Sequence, residues 1–116
     1  MRYMLLFCDQ PSGGIDHIPP DEQAVYAQLR DEADARGGWV LGAALKSDES
    51  ATRVTTVDGE IRFVDGPFAE VTDLLSGMFV VDFDSHEDAL AFAARIPAAR
   101  NGAVEVRRVV EHDPAR

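Results

Sequence analysis

Basic residues are scarce: 11 Lys and Arg stand against 21 Asp and Glu, a formal charge of −10. A surface this acidic repels phosphate backbones and anionic lipid headgroups, so neither nucleic acid nor a membrane surface is an expected partner. Cysteine is nearly absent. Cys8 alone closes no intramolecular disulfide and completes no zinc knuckle, and within Tyr3-Met4-Leu5-Leu6-Phe7-Cys8 it reads as a buried, inert thiol. No apolar run approaches the roughly 20 residues of a membrane span, and the opening apolar stretch is too short for a secretory signal. A cytoplasmic protein is expected. Histidine is equally sparse: His17 lies in a Pro/Gly-rich loop, His86 follows a helix cap and His112 is in the tail, with no metal-ligand spacing among them. The glycines fit neither a P-loop nor a dinucleotide fingerprint. No metal and no cofactor is expected.

What remains is enough for one core. A chain of 116 residues with 46% hydrophobic content suits a single domain over 1–116, and there is no repeat or long linker. Arg2 to Cys8 reads as a central strand, apolar with little alternation. Pro20 suits the first position of a helix, with Asp21 and Glu22 at the positive end of its dipole. Val25, Leu29 and Ala33 then form an amphipathic stripe, with Tyr26 and Arg30 beside it, up to Gly37-Gly38. Trp39-Val40-Leu41 opens a second strand, expected to lose regularity between Gly42 and Leu45. Arg53–Val57 and Glu60–Val64 flank Asp58-Gly59, the pattern of a two-residue hairpin. Residues 77–83 are another strongly apolar strand, Ser85 caps a helix that ends at Pro97, and Ala103 to Val110 is a last, alternating strand.

The order strand, helix, strand, hairpin, strand, helix, strand predicts an α+β fold. Its simplest form is a ferredoxin-like antiparallel sheet with two helices on one face plus an extra β-hairpin. Two helices cover one sheet face only, yet strands 2–8 and 77–83 are apolar on both. A second copy of the chain is the simplest cover, so a homodimer through sheet faces is expected.

The segment Asp65-Gly66-Pro67-Phe68-Ala69-Glu70 resembles the signature of the DGPF group of the YciI-like (YCII-related) family. The resemblance extends through the opening Arg2–Leu6, the strand after the signature, Ala94–Arg100, and Val104-Glu105-Val106-Arg107. It implies a dimeric α/β barrel built on the ferredoxin-like topology. It also implies a small enzyme, or a protein linked to sigma factors of the extracytoplasmic-function type. Family members with suspected catalysis carry a histidine–aspartate pair, its histidine on the first helix. That helix here holds no histidine; Ala27 stands near its place and Arg36 near the aspartate's, so the general-base role is not carried over. Many DGPF relatives also have threonine and lysine where this chain has Val71 and Thr72.

The residues nominate Asp65 and Glu70 as carboxylates beside a cleft, with Phe68 and Tyr3 as its apolar wall and His17 at its mouth. One carboxylate, raised in pKa by burial, would serve as acid or base. The competing structural role is that both carboxylates fix their loop through hydrogen bonds. Trp39 and Phe63 read as core; Arg62, Arg95, Arg100, Arg107 and Arg108 could include an anion-binding pair, but among 21 carboxylates they read as surface ion-pair partners. Two functions follow: a small-molecule binder or cofactor-independent enzyme with its cleft between sheet and helices, or a non-catalytic protein-interaction partner or regulator, for example of a sigma factor.

Overall fold

The computed structural model describes residues 1–9, 18–46, 51–66 and 75–111. Elements follow in the order β1 (Arg2–Asp9), α1 (Pro20–Ala35), β2 (Trp39–Ala44), β3 (Thr52–Val57), β4 (Glu60–Asp65), β5 (Leu75–Asp82), α2 (His86–Ala93), α3 (Ala98–Asn101) and β6 (Gly102–Arg108). Four strands form one sheet in the order β2-β5-β1-β6, with every pair antiparallel. The first and third strands of the sheet are thus central, which is the ferredoxin-like arrangement, and β3–β4 is an inserted two-stranded sheet.

Alternation along the central strands divides two apolar faces. Tyr3, Leu5 and Phe7 of β1 pair with Val81, Phe79 and Gly77 of β5 and face the helices. There they pack with Leu29 and Ala33 of α1 and with Ala89, Phe92 and Ala93 of α2. α1 begins as its sequence dictates, with Pro20 at its first turn and Asp21 and Glu22 beside it, and the chain leaves it through Gly37 at φ +76°. Ser85 caps α2 by accepting from the Asp88 N–H at 3.1 Å. The chain after α2 makes one further turn, α3, where a simple turn at Arg100-Asn101-Gly102 is predicted.

On the other sheet face Met4, Leu6, Cys8 and Met78 are half-buried, and Leu41 is 45% exposed. No element covers this face among the described residues, although Val80 on it is buried. The hairpin turns at Asp58-Gly59, both at positive φ (51° and 81°), as a type I′ turn requires. Its Val54, Ile61 and Phe63 share one face, exposed at 62%, 66% and 72%. Phe63 is therefore not a core residue: among the described residues the hairpin packs on no layer that would bury it. The projecting hairpin also explains a radius of gyration of 15.9 Å, against about 13 Å for a sphere-like domain of this length.

Arg2 and Asp82 tie the two central strands at one end, Nε and Nη2 donating to the two carboxylate oxygens at 2.9 and 3.2 Å. The Arg2 hydrogen bond, and then its charge, hold the Asp82 carboxyl below the usual range against some desolvation. A carboxyl lowered on folding stabilises the fold above its unfolded pKa of about 4, and that contribution is lost as pH falls through the lower folded value. Asp82→Asn is accordingly expected to flatten the acid limb of a melting-temperature profile taken from pH 7 to 2.5. An unchanged limb would remove this pair as its source.

Candidate functional site

A cleft of about 530 Å³ opens between α1 and the β2–β5 side of the sheet. Its volume lies within the range typical of small-molecule sites. Each wall follows from local structure. Gln23, Tyr26 and Arg30 are three and four residues apart, so α1 presents all three along one face. Phe7 and Phe79 come from the helix-facing sides of β1 and β5. β2 supplies Trp39 and Gly42, and its pairing with β5 slips by one residue between Trp39 and Leu41. This bulge places Val40 out of register, so Trp39 and Gly42 both oppose helix-facing partners, Val81 and Phe79. The predicted irregularity between Gly42 and Leu45 is therefore found earlier, at Val40, and β2 pairs regularly through Ala44.

The rings form a connected cluster. Phe79 meets Trp39 at 4.8 Å and 77° and Phe7 at 4.9 Å and 85°, both edge-to-face; Phe7 meets Tyr26 at 5.2 Å. Such geometries bring the positive edge of one ring to the negative face of the next. The Arg30 guanidinium stands 5.6 Å from the centre of the Trp39 ring. Gln23 Nε2 donates to the Ile18 carbonyl at 2.8 Å, which fixes the amide at the cleft mouth. Ser76 Oγ is turned inward to the Phe7 carbonyl at 3.2 Å and helps hold β5 on β1.

Gly42 is required by a close approach. A Cβ there would lie 2.7 Å from Trp39 Cη2 and 3.1 Å from Phe79 Cδ1. Gly42→Ala is therefore expected to displace the indole into the cleft and to destabilise the fold by about 1–3 kcal/mol through overpacking. Trp39 is the only tryptophan, so its emission spectrum reports the displacement directly. An unshifted spectrum with an unchanged melting temperature would contradict this packing.

The residues nominated from sequence fall elsewhere. Tyr3 is 1% exposed at the far end of β1, its ring against Phe83 and its hydroxyl 3.3 Å from His86 Nδ1. It belongs to the core and not to the cleft wall, because β1 alternation points it between α2 and the sheet. His86, an exposed first-turn residue of α2, is its polar neighbour. Asp65 is exposed at the base of the hairpin, where its Oδ1 accepts from Thr52 Oγ1 at 2.9 Å. His17, Phe68 and Glu70 lie outside the described residues. Among the described residues no group of His, Cys, Asp and Glu has a geometry that would hold a metal ion. No helix there is long and apolar enough to cross a membrane.

The sequence reads Trp39 as core and sets Tyr26 and Arg30 beside the helix stripe and Phe79 in a strand, assigning none of them to a cleft. Two signals marked them: the Gln23, Tyr26, Arg30 spacing beside the stripe of half-buried Val25 and buried Leu29 and Ala33, and a glycine inside a strand, where close approach is common.

A family model for the YCII-related domain matches residues 1–113. The chain belongs to the YCII-related family. No curated protein sequence matches this YCII-related chain. Among solved structures it is similar to 5-chloro-2-hydroxyhydroquinone dehydrochlorinase (TftG) from Burkholderia phenoliruptrix AC1100, in complex with 2,5-dihydroxybenzoquinone. The two share 14% identity with a TM-score of 0.56, over 97% of this chain and 96% of the other. At that identity the likeness is one of fold.

Proposed function

We propose that this YCII-related protein binds a small organic molecule in the α1–β2–β5 cleft and works as a cytoplasmic homodimer. The observation that carries the reading is the cleft itself, walled by the rings of Phe7, Tyr26, Trp39 and Phe79 and open to solvent beside Arg30 and Gln23. Aromatic walls with a few placed polar groups are what small-molecule sites share. The similar dehydrochlorinase was captured with a quinone, a flat ring compound, which supports a ring-sized ligand for this fold. The open sheet face, with Met4, Leu6, Met78 and Leu41 uncovered by any described element, supports association with a second copy.

Titration of small aromatic compounds against the Trp39 emission, with thermal shift in parallel, tests the binding reading. Compounds that bind are expected to quench or shift the emission and to raise the melting temperature by mass action. Gly42→Ala is expected to lose both responses, and Asp65→Asn to keep them. Binding that survives Gly42→Ala with an unshifted affinity would move the site away from this cleft.

A further inference from the structure

We propose that the cleft selects planar aromatic anions, with Arg30 as the group that recognises the negative charge; this rests on the small-molecule reading above. The observations are charge, position and shape. Among the described residues that line the cleft, Arg30 is the only charged one, in a chain whose formal charge is −10. Carboxylates claim three of the described arginines, whereas Arg30, Arg36, Arg62, Arg100 and Arg108 make no ion pair with a described residue, and of these only Arg30 lines the cleft. Arg95 pairs with Glu32 at 2.8 Å, Arg2 with Asp82 at 2.9 Å and Arg107 with Glu105 at 3.3 Å. Arg30 makes no ion pair with any described residue, Asp34 one turn along α1 included. Its contact is with the Trp39 ring at 5.6 Å. Cation–π contact leaves the edge N–H donors of a guanidinium available, and those donors match a carboxylate in geometry.

Two acidic residues of α1 are engaged elsewhere. Glu32 is held by Arg95, and Glu22 accepts from Asn101 Nδ2 at 2.7 Å. The cleft therefore sets one positive charge beside an apolar, ring-lined interior. Arg30 is itself exposed at the mouth, so its attraction for an anion is screened by salt, and the ring wall beside it supplies the rest of the contact. Shape supplies the second half of the selectivity. Gly42 leaves bare backbone beneath the indole, and the Trp39, Phe79 and Phe7 rings meet edge-to-face. A flat ring can lie against such walls, and its carboxylate can then reach Arg30 at the mouth. A puckered ring of equal size loses the stacking contact and keeps only the charge.

Four probes separate these contributions: 2-naphthoate, its neutral amide 2-naphthamide, benzoate and the non-planar cyclohexanecarboxylate. Affinities are read by isothermal calorimetry or ligand-observed NMR on the full chain, wild type and Arg30→Gln. Wild type is expected to bind 2-naphthoate roughly tenfold more tightly than 2-naphthamide, the scale of one charge-assisted hydrogen bond at a partly exposed site. It is expected to prefer benzoate to cyclohexanecarboxylate. Arg30→Gln should bring the acid-to-amide ratio close to one, and raised salt should shrink that ratio in wild type. The ratio is the quantity read, so loss of Arg30 packing on Trp39, which weakens acid and amide together, does not imitate the result. Equal binding of acid and amide, or a ratio unaltered in Arg30→Gln, overturns the anion assignment while leaving small-molecule binding intact. Binding of none of the four probes overturns that reading as well.

Discussion

Phe79→Ala is expected to destabilise the fold by about 3–5 kcal/mol, the range for deleting a buried phenylalanine side chain, and to abolish ligand binding. Phe79 sits at the junction of three layers of contact: Phe7 on the neighbouring strand, Trp39 across the β2 edge, and Tyr26 from α1, with centres 4.9, 4.8 and 6.2 Å away. Truncation removes edge-to-face contact with all three and leaves a void that Gly42 and Gly77, lacking side chains, do nothing to fill. A domain of this size has total stability on the order of 5–15 kcal/mol, so the variant should melt at least 10 °C lower. Phe79→Leu keeps most of the volume and should cost less than about 1.5 kcal/mol while still weakening binding through the lost ring. Leu90→Ala on the outer side of α2, where the side chain is 46% exposed, should stay within about 0.5 kcal/mol of wild type. Denaturant unfolding of the three variants checks the ranking. A Phe79→Ala loss no greater than that of Leu90→Ala would mean that the aromatic cluster is not the keystone of this side of the core.

The fold was legible because its signals are local and mutually consistent. Asp58-Gly59 between alternating runs permits few other turns, Pro20 with Asp21 and Glu22 marks a helix start, and two strands apolar on both faces can only be central. The order of those elements then fixes β1 and β5 in the middle of the sheet. Membership of the YCII-related family was legible for a different reason, through motifs spread along the chain from Arg2 to Arg107.

The cleft was harder to see. It draws on β1, α1, β2 and β5, and its shape depends on a one-residue slip at Val40 that no local pattern announces. Without that slip Trp39, three residues before Gly42, would share the open side of the sheet with Leu41. Tyr3, nominated as apolar cleft wall, is enclosed in the core instead, its hydroxyl beside His86. The carboxylates of the signature drew attention because they are distinctive in sequence. Asp65, the one among the described residues, is engaged with Thr52 in the hairpin.

Leu6→Lys is expected to convert a homodimer into a folded monomer, the second large effect. Leu6 lies at the middle of the open face of β1, paired with Met78 on one side and Glu105 on the other. In the isolated chain a lysine there can extend its stem over Met4 and Met78 and keep its ammonium in water, so the melting temperature should fall little. In a face-to-face dimer that route to water closes, and two-fold symmetry brings in a second lysine for every first. Burying unpaired ammonium groups costs several kcal/mol, and about 3 kcal/mol already weakens association more than a hundredfold. Light scattering behind size exclusion, from 1 to 100 µM, reads the change as a halving of mass. The apolar hairpin face offers a rival interface, and Phe63→Ser distinguishes the two, since Phe63 is the most exposed ring on it. Association through the sheet predicts a monomer for Leu6→Lys and an intact dimer for Phe63→Ser. The reverse pattern would place the contact on the hairpin, and a wild-type monomer at 100 µM would overturn the homodimer proposed from Met4, Leu6, Met78 and Leu41.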